Sequence, residues 1–176
     1  HSRFSDGTLS PGALAQRAAA NGVELWALTD HDETGGLAEA AQAAARLGMG
    51  FVTGVEISVS FAKETVHIVG LGFDAANAAL QAGLARTRGG RLARAQDMAD
   101  GLAQVGIPGA LAGALRYVGN PALVSRTHFA RWLVEAGHCS DTGAVFRRFL
   151  TEGKPGYVAH QWAGLGEAVR WITQAG

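Results

Sequence analysis

Three short stretches gather side chains of the kind that bind divalent metals. Asp30-His31-Asp32 follows directly on a strand-like run ending at Thr29, Glu56 lies in the β-type run after Gly54, and His67 sits inside Thr65-Val66-His67-Ile68-Val69. Imidazoles and carboxylates at or near strand ends are what a metal site in an α/β protein requires, because such folds open their sites there. As ligands, the two groups together suit Zn, Mn or Fe. Each stretch also has a plainer reading. A single His in an apolar strand is more often a hydrogen-bonded core residue, and Asp30-His31-Asp32 could cap the helix that follows. Glu56 is harder to explain without chemistry. It is flanked by Val55 and Ile57 in a strand of buried character, and an unpaired buried carboxylate is costly.

The elements that must position these groups follow from pattern and punctuation. Residues 8–22 read as a helix, with Ser10 as N-cap, Pro11 at the first helical position and Gly22 past the end. Residues 23–29 read as a buried strand, and roughly 37–47 as an Ala-rich helix stopped by Gly48. Residues 50–60 and 64–72 are β-type runs, so the first 75 residues alternate helix and strand as an α/β unit does. From 75 to about 151 the apolar residues recur at helical spacing, which predicts an all-helical insertion; within it, Ser125 caps a helix to about Glu135 and another helix covers Asp141–Leu150. A last helix runs over about 165–175. The expected organisation is an α/β part over 1–74, the helical insertion over 75–155, and a return to the α/β part over 156–176.

Hydrophobic residues make up 48% and charged residues 17% of the chain, which excludes a disordered tail. No apolar run approaches the roughly 18 residues a membrane span needs. The one cysteine, Cys139, cannot form an internal disulfide, which fits a reducing, cytoplasmic setting. The formal net charge of zero hides an asymmetry. Residues 83–156 carry ten Lys/Arg against five Asp/Glu, and the rest carries five against ten. An acidic part suits cations and a basic part suits phosphates. Arg86, Arg88, Arg91 and Arg94 fall within nine residues, but no aromatic residues interleave for base stacking, so this run reads as a solvated helix face.

The N-terminal stretch His1-Ser2-Arg3-Phe4-Ser5-Asp6-Gly7-Thr8 makes the pattern specific. With Thr29-Asp30-His31, Gly54-Val55-Glu56 and His67 after it in order, it resembles the PHP (polymerase and histidinol phosphatase) domain, whose first motif is a His-x-His pair followed by a Ser-Asp-Gly turn. Ser125-Arg126-Thr127-His128-Phe129-Ala130-Arg131 and Gly153-Lys154-Pro155-Gly156-Tyr157-Val158 are similar to segments of its TrpH-like phosphoesterase branch. That branch includes 3′,5′-nucleotide bisphosphate phosphatases and 5′-to-3′ exoribonucleases.

The resemblance implies an α/β fold, a partial distorted β/α barrel with a helical insertion. It implies that His1, Asp6, His31, Glu56 and His67 are metal ligands, with Asp6, His31 and Glu56 at the catalytic centre and Glu56 bridging two metals. Asp30 and Asp32 orient His31 from behind. Arg126, His128, Arg131 and Lys154 grip substrate phosphates. The implied cofactors are two or three divalent ions, Mn first and Fe or Zn as alternatives. The implied reaction is hydrolysis of 3′,5′-nucleotide bisphosphates, or of short oligonucleotide 5′ ends, by a metal-bound hydroxide. Partners are then a small nucleotide and short RNA or DNA, with no membrane and no obligate protein partner. A histidinol-phosphate-type phosphatase and a non-catalytic PHP-like module are the alternatives. The family's first His and its later ligands fall outside residues 1–176, so the chain is expected to hold part of the metal cluster.

Overall fold

The strand that carries Glu56 organises the α/β part. In the computed structural model, which describes residues 1–160 and 162–176, β2 (Gly50–Phe61) pairs in parallel with β1 (Leu25–Leu28) through its first residues, Leu25 opposite Gly50 to Leu28 opposite Thr53. Its longer second half pairs antiparallel with β3 (Glu64–Leu71), from Gly54 opposite Leu71 to Phe61 opposite Glu64. Two residues of β4 (Ala163–Gly164) complete the sheet by pairing in parallel with Val59 and Ser60. Gly54 stands where β1 and β2 close up, and a Cβ there would lie 2.6 Å from the Leu28 carbonyl oxygen.

Alternation along β2 decides what faces what. Val55, Ile57 and Val59 are fully buried on one face, and each such burial stabilises the fold by roughly 1.5–3 kcal/mol. They pack into a core with Leu28, with Leu80 and Leu84 of α3 (Ala78–Gly89) and with Trp171 of α8 (Leu165–Thr173). Glu56, Ser58 and Ser60 take the opposite face by strand periodicity, and Ser58 stands opposite His67 in the register. A smaller cluster of Ala15, Ala43, Ala44 and Met49 joins α1 (Pro11–Ala20) to α2 (Leu37–Arg46). α1 begins as the sequence predicts: the Ser10 hydroxyl accepts from the Ala13 N–H at 3.2 Å, with Pro11 at the first helical position.

The chain divides into two compact units, one formed by His1–Arg88 with the C-terminal segment ending at Gly176, the other by Gly89–His160. The second is all helical, with α4 (Arg91–Gln104), α5 (Ala110–Leu115), α6 (Arg126–Glu135) and α7 (Thr142–Val145) around Met98, Leu102, Phe129, Leu133 and Leu150. Its limits differ from the expected 75–155. Helical spacing assigned α3 to the insertion, but its Leu80 and Leu84 belong to the core of the α/β unit. The helix expected over Asp141–Leu150 is α7 followed by a π-helical turn at Phe146–Leu150. The fold is mixed α/β with a small sheet, consistent with a distorted β/α arrangement.

Candidate metal centre

Backbone pairing sets the distance between the two central side chains. After β1 ends, the chain makes one more parallel bridge, His31 to Glu56: the Glu56 N–H donates to the Asp30 carbonyl at 3.1 Å, and the Asp32 N–H donates to the Glu56 carbonyl at 2.8 Å. This rung brings His31 beside Glu56, and the hairpin brings His67 to the same face from β3. His1 arrives by a different route. The Ser2 N–H and hydroxyl donate to the Asp30 carboxylate at 2.5 and 2.6 Å, and the Ser5 hydroxyl donates to it at 2.7 Å. The turn that follows closes through the Gly7 N–H on the Ser2 carbonyl at 2.9 Å. A Cβ on Gly7 would lie 2.1 Å from the His1 carbonyl oxygen, so only glycine fits there.

Three imidazoles therefore converge on one carboxylate. Glu56 Oε2 lies 3.0 Å from His1 Nε2, while Oε1 lies 3.1 Å from His67 Nδ1 and 3.7 Å from His31 Nδ1. The His1 and His31 rings stack with centroids 4.4 Å apart, and those of His31 and His67 meet edge to face at 4.9 Å. The donor atoms of His1, His31 and Glu56 all lie within 4.8 Å of one another. An imidazole nitrogen and a carboxylate oxygen are both acceptors unless a proton or a cation lies between them. Three protonated imidazoles at this spacing would repel one another, whereas divalent ions satisfy nitrogen and oxygen donors together. The donor set fits such ions.

The family model of the PHP domain matches residues 1–109. The chain belongs to the PHP family. It is 58% identical over its whole length to a 3′,5′-nucleoside bisphosphate phosphatase of Chromobacterium violaceum and covers 62% of that protein. It is 42% identical, again over its whole length, to a 5′-3′ exoribonuclease of Haemophilus influenzae, of which it covers 64%. A solved amidohydrolase of Chromobacterium violaceum, with bound sulfate and no metal, superposes with a TM-score of 0.97 at 58% identity, over 99% of this chain and 62% of that one. This PHP chain thus spans about three fifths of the length of the relatives it matches.

Within this PHP site the two aspartates have distinct structural jobs. Asp30 holds the segment that carries His1. Asp32 is tied to the strand of Glu56, since its carboxylate accepts from the Ser58 N–H at 2.8 Å and the Ser58 hydroxyl at 3.0 Å. Both are expected from the sequence to orient His31; these carboxylate bonds run to the segments that carry His1 and Glu56. Asp6 lies in the turn over residues 3–6, outside the group of donors within 4.8 Å.

Of the residues expected to grip phosphate, His128 is fully buried, and its Nδ1 accepts from the Ser125 N–H at 3.0 Å as part of the cap of α6. That cap is a folding role beside the phosphate contact expected of it, and the sequence pattern conceals it because Ser-x-x-His is an unusual form of the Ser-x-x-Glu box. Arg126 is half-buried with its guanidinium 5.8 Å from the Phe146 ring centroid, Arg131 is half-buried, and Lys154 is exposed.

The arginine run is not the solvated face the sequence predicts. Arg86 does pair at the surface, with Glu167 at 2.7 Å. Arg88 is largely covered, Arg91 is buried, and the Arg94 Nε–H donates to the Val158 carbonyl at 3.0 Å. Burial, with the nearby charges of Arg126 and Arg91, pushes Arg94 down to about 10. Arg88 lies in the last turn of α3 while Arg91 and Arg94 stand three apart on α4, so the run is divided between two helices.

Proposed function

We propose that the protein is a metal-dependent phosphoesterase that releases phosphate from 3′,5′-nucleoside bisphosphates, with the 5′ ends of short RNA as a second substrate class. The observation that carries this reading is the convergence of His1, His31 and His67 on the two oxygens of Glu56. One oxygen faces His1 and the other faces His31 and His67, an arrangement suited to a carboxylate shared between two ions. The names of the relatives, a bisphosphate phosphatase and an exoribonuclease, support the choice of substrate.

His1, His31, His67 and Glu56 would hold the ions, with Asp6 as a further ligand. When bound, divalent ions polarise phosphate oxygens and lower the pKa of a coordinated water. We assign the ions as Mn. The chain's own contribution is to fix the ligands: Asp30 locks the His1 segment, Asp32 locks the loop after His31 to β2, and the β2–β3 register presents His67. Arg126, Arg131 and Lys154 are proposed to bind substrate phosphate, Arg126 through the planar fork that matches phosphate oxygens. His128, whose Nδ1 caps α6, is proposed as a fourth member of that set. No helix among the described residues is long and apolar enough to cross a membrane; we place the enzyme in the cytoplasm, in keeping with its single cysteine.

The test uses the intact protein loaded with Mn and follows phosphate release from 3′-phosphoadenosine 5′-phosphate, histidinol phosphate and a short 5′-phosphorylated RNA. Release from the bisphosphate that vanishes in Glu56→Ala, together with loss of bound Mn, is the expected result. Preference for histidinol phosphate would overturn the substrate assignment. A protein that folds and retains no metal would overturn the reading altogether.

A further inference from the structure

Arg88 lies 56 residues beyond Asp32, in no segment that resembles a ligand motif, yet its side chain ends at the metal loop. Its Nη1 donates to the Asp32 carbonyl oxygen at 2.6 Å and lies 3.6 Å from Glu33 Oε2, with 18% of the side chain exposed. Asp32 is the residue after the ligand His31. It is fully buried and has φ 51°, in the left-handed region that a non-glycine residue seldom adopts. The Asp32 N–H is bonded to the Glu56 carbonyl and the Asp32 carboxylate to Ser58, so these groups belong to β2. The left-handed turn at Asp32 takes its carbonyl out of the β1–β2 ladder, and a buried carbonyl needs a donor. Arg88 is a donor to it.

The same guanidinium brings positive charge to a segment with three carboxylates in four residues, Asp30, Asp32 and Glu33. Glu33 in turn folds the loop on itself, its Oε1 accepting from the Thr34 and Gly35 N–H groups at 2.8 Å each. A guanidinium suits this place because one nitrogen donates to the Asp32 carbonyl while its positive charge stands beside the Glu33 carboxylate.

We propose that Arg88 is a positioning residue of the metal centre. By bonding the Asp32 carbonyl, with its charge paired to Glu33, it keeps the loop after His31 in the conformation that sets His31 beside Glu56. The proposal rests on reading the His1/His31/Glu56 group as a metal site.

The test measures Mn(II) affinity by electron paramagnetic resonance and thermal unfolding of the metal-free protein, on the intact protein, Arg88→Met and Arg88→Lys. Removing a group that supports ligands typically weakens metal binding by about 10- to 100-fold. The expected result is a loss of that order in Arg88→Met, at a temperature where it is fully folded, with Arg88→Lys recovering part of it through one remaining donor. A merely structural Arg88 would lower the melting temperature and leave the Mn dissociation constant of the folded protein unchanged, and that outcome overturns the proposal. If Arg88→Met does not fold, Arg88→Lys decides, and an affinity equal to the parent overturns it. Absence of Mn binding by the parent would instead sink the metal reading on which the proposal rests.

Discussion

Replacing Asp30 with asparagine keeps the shape of the side chain and removes the charge on which three donors converge. The carboxylate is 2% exposed and accepts from the Ser2 N–H, the Ser2 hydroxyl and the Ser5 hydroxyl at 2.5 to 2.7 Å. Hydrogen bonds to a charged group contribute about 1.5–3 kcal/mol and neutral ones about 0.5–1.5, so neutralising the acceptor weakens each bond by roughly 1 kcal/mol. The amide NH2 would face the Ser2 hydroxyl, which then turns to accept and leaves its own O–H stranded, and a stranded buried donor costs about 1–3 kcal/mol more. Because the three bonds share one carboxylate, their losses do not add fully. The expected destabilisation is about 3–5 kcal/mol, a large share of the roughly 5–15 kcal/mol that holds a typical domain.

Urea unfolding of the metal-free intact protein, followed by circular dichroism, measures this directly. Mn titration of the folded variant measures the second consequence, about a tenfold weaker affinity, because Asp30 holds His1 in place through Ser2. An Asp30→Asn protein within about 1 kcal/mol of the parent would show that the three short contacts do not carry the stability assigned to them. Reduced stability with unchanged Mn affinity would separate the lock on the N-terminal segment from the placement of His1.

The two-residue loop of the β2–β3 hairpin puts Ala62 at φ 51° and Lys63 at φ 69°, where Asn-Gly is the favoured pair. Ala62→Asn with Lys63→Gly should raise stability by about 1 kcal/mol, read as a higher urea midpoint at unchanged slope; a lower midpoint would refute the turn assignment. In the helical unit, Asp141 caps α7, and the Ala144 N–H and the Ser140 hydroxyl hold its carboxyl below the ordinary value of 3.8. A lowered carboxyl contributes stability above its unfolded value and loses it as pH falls through the folded one. Asp141→Ala should therefore be less stable than the parent at pH 7, with the gap closing below 3.8; urea unfolding across that range checks it, and a gap constant with pH would refute it.

What the sequence discloses here is whatever a local pattern is enough to determine. Alternation along 50–60 sets Val55, Ile57 and Val59 against Glu56 and Ser58, so both the core face and the odd carboxylate on the other face are legible from residue order alone. The strand ending at Thr29 points to a functional loop after it, and His31 is in that loop. What stays hidden depends on which surface a helix buries. α3 carries Leu80 and Leu84 four residues apart in an Ala- and Gly-rich sequence, and nothing local says that they pack with β2 and not within the helical unit.

The arginines follow from the same ambiguity. A charged run on a helix is usually solvated, and Arg88 breaks that rule because α3 shares a core with the strand beside the loop whose buried Asp32 carbonyl it bonds. His128 shows the converse ambiguity: the structure places its Nδ1 in the cap of α6, a job the sequence hides, since a three-residue spacing to Ser125 fits a helix start as well as a ligand. The strongest local signals thus point to the proposed ligands, and the groups bonded to their segments, Asp30 through Ser2 and Arg88 through Asp32, appear only once distant segments meet. Separating the two by measurement calls for metal affinity rather than activity, because each of these supporting groups acts on the site through another residue.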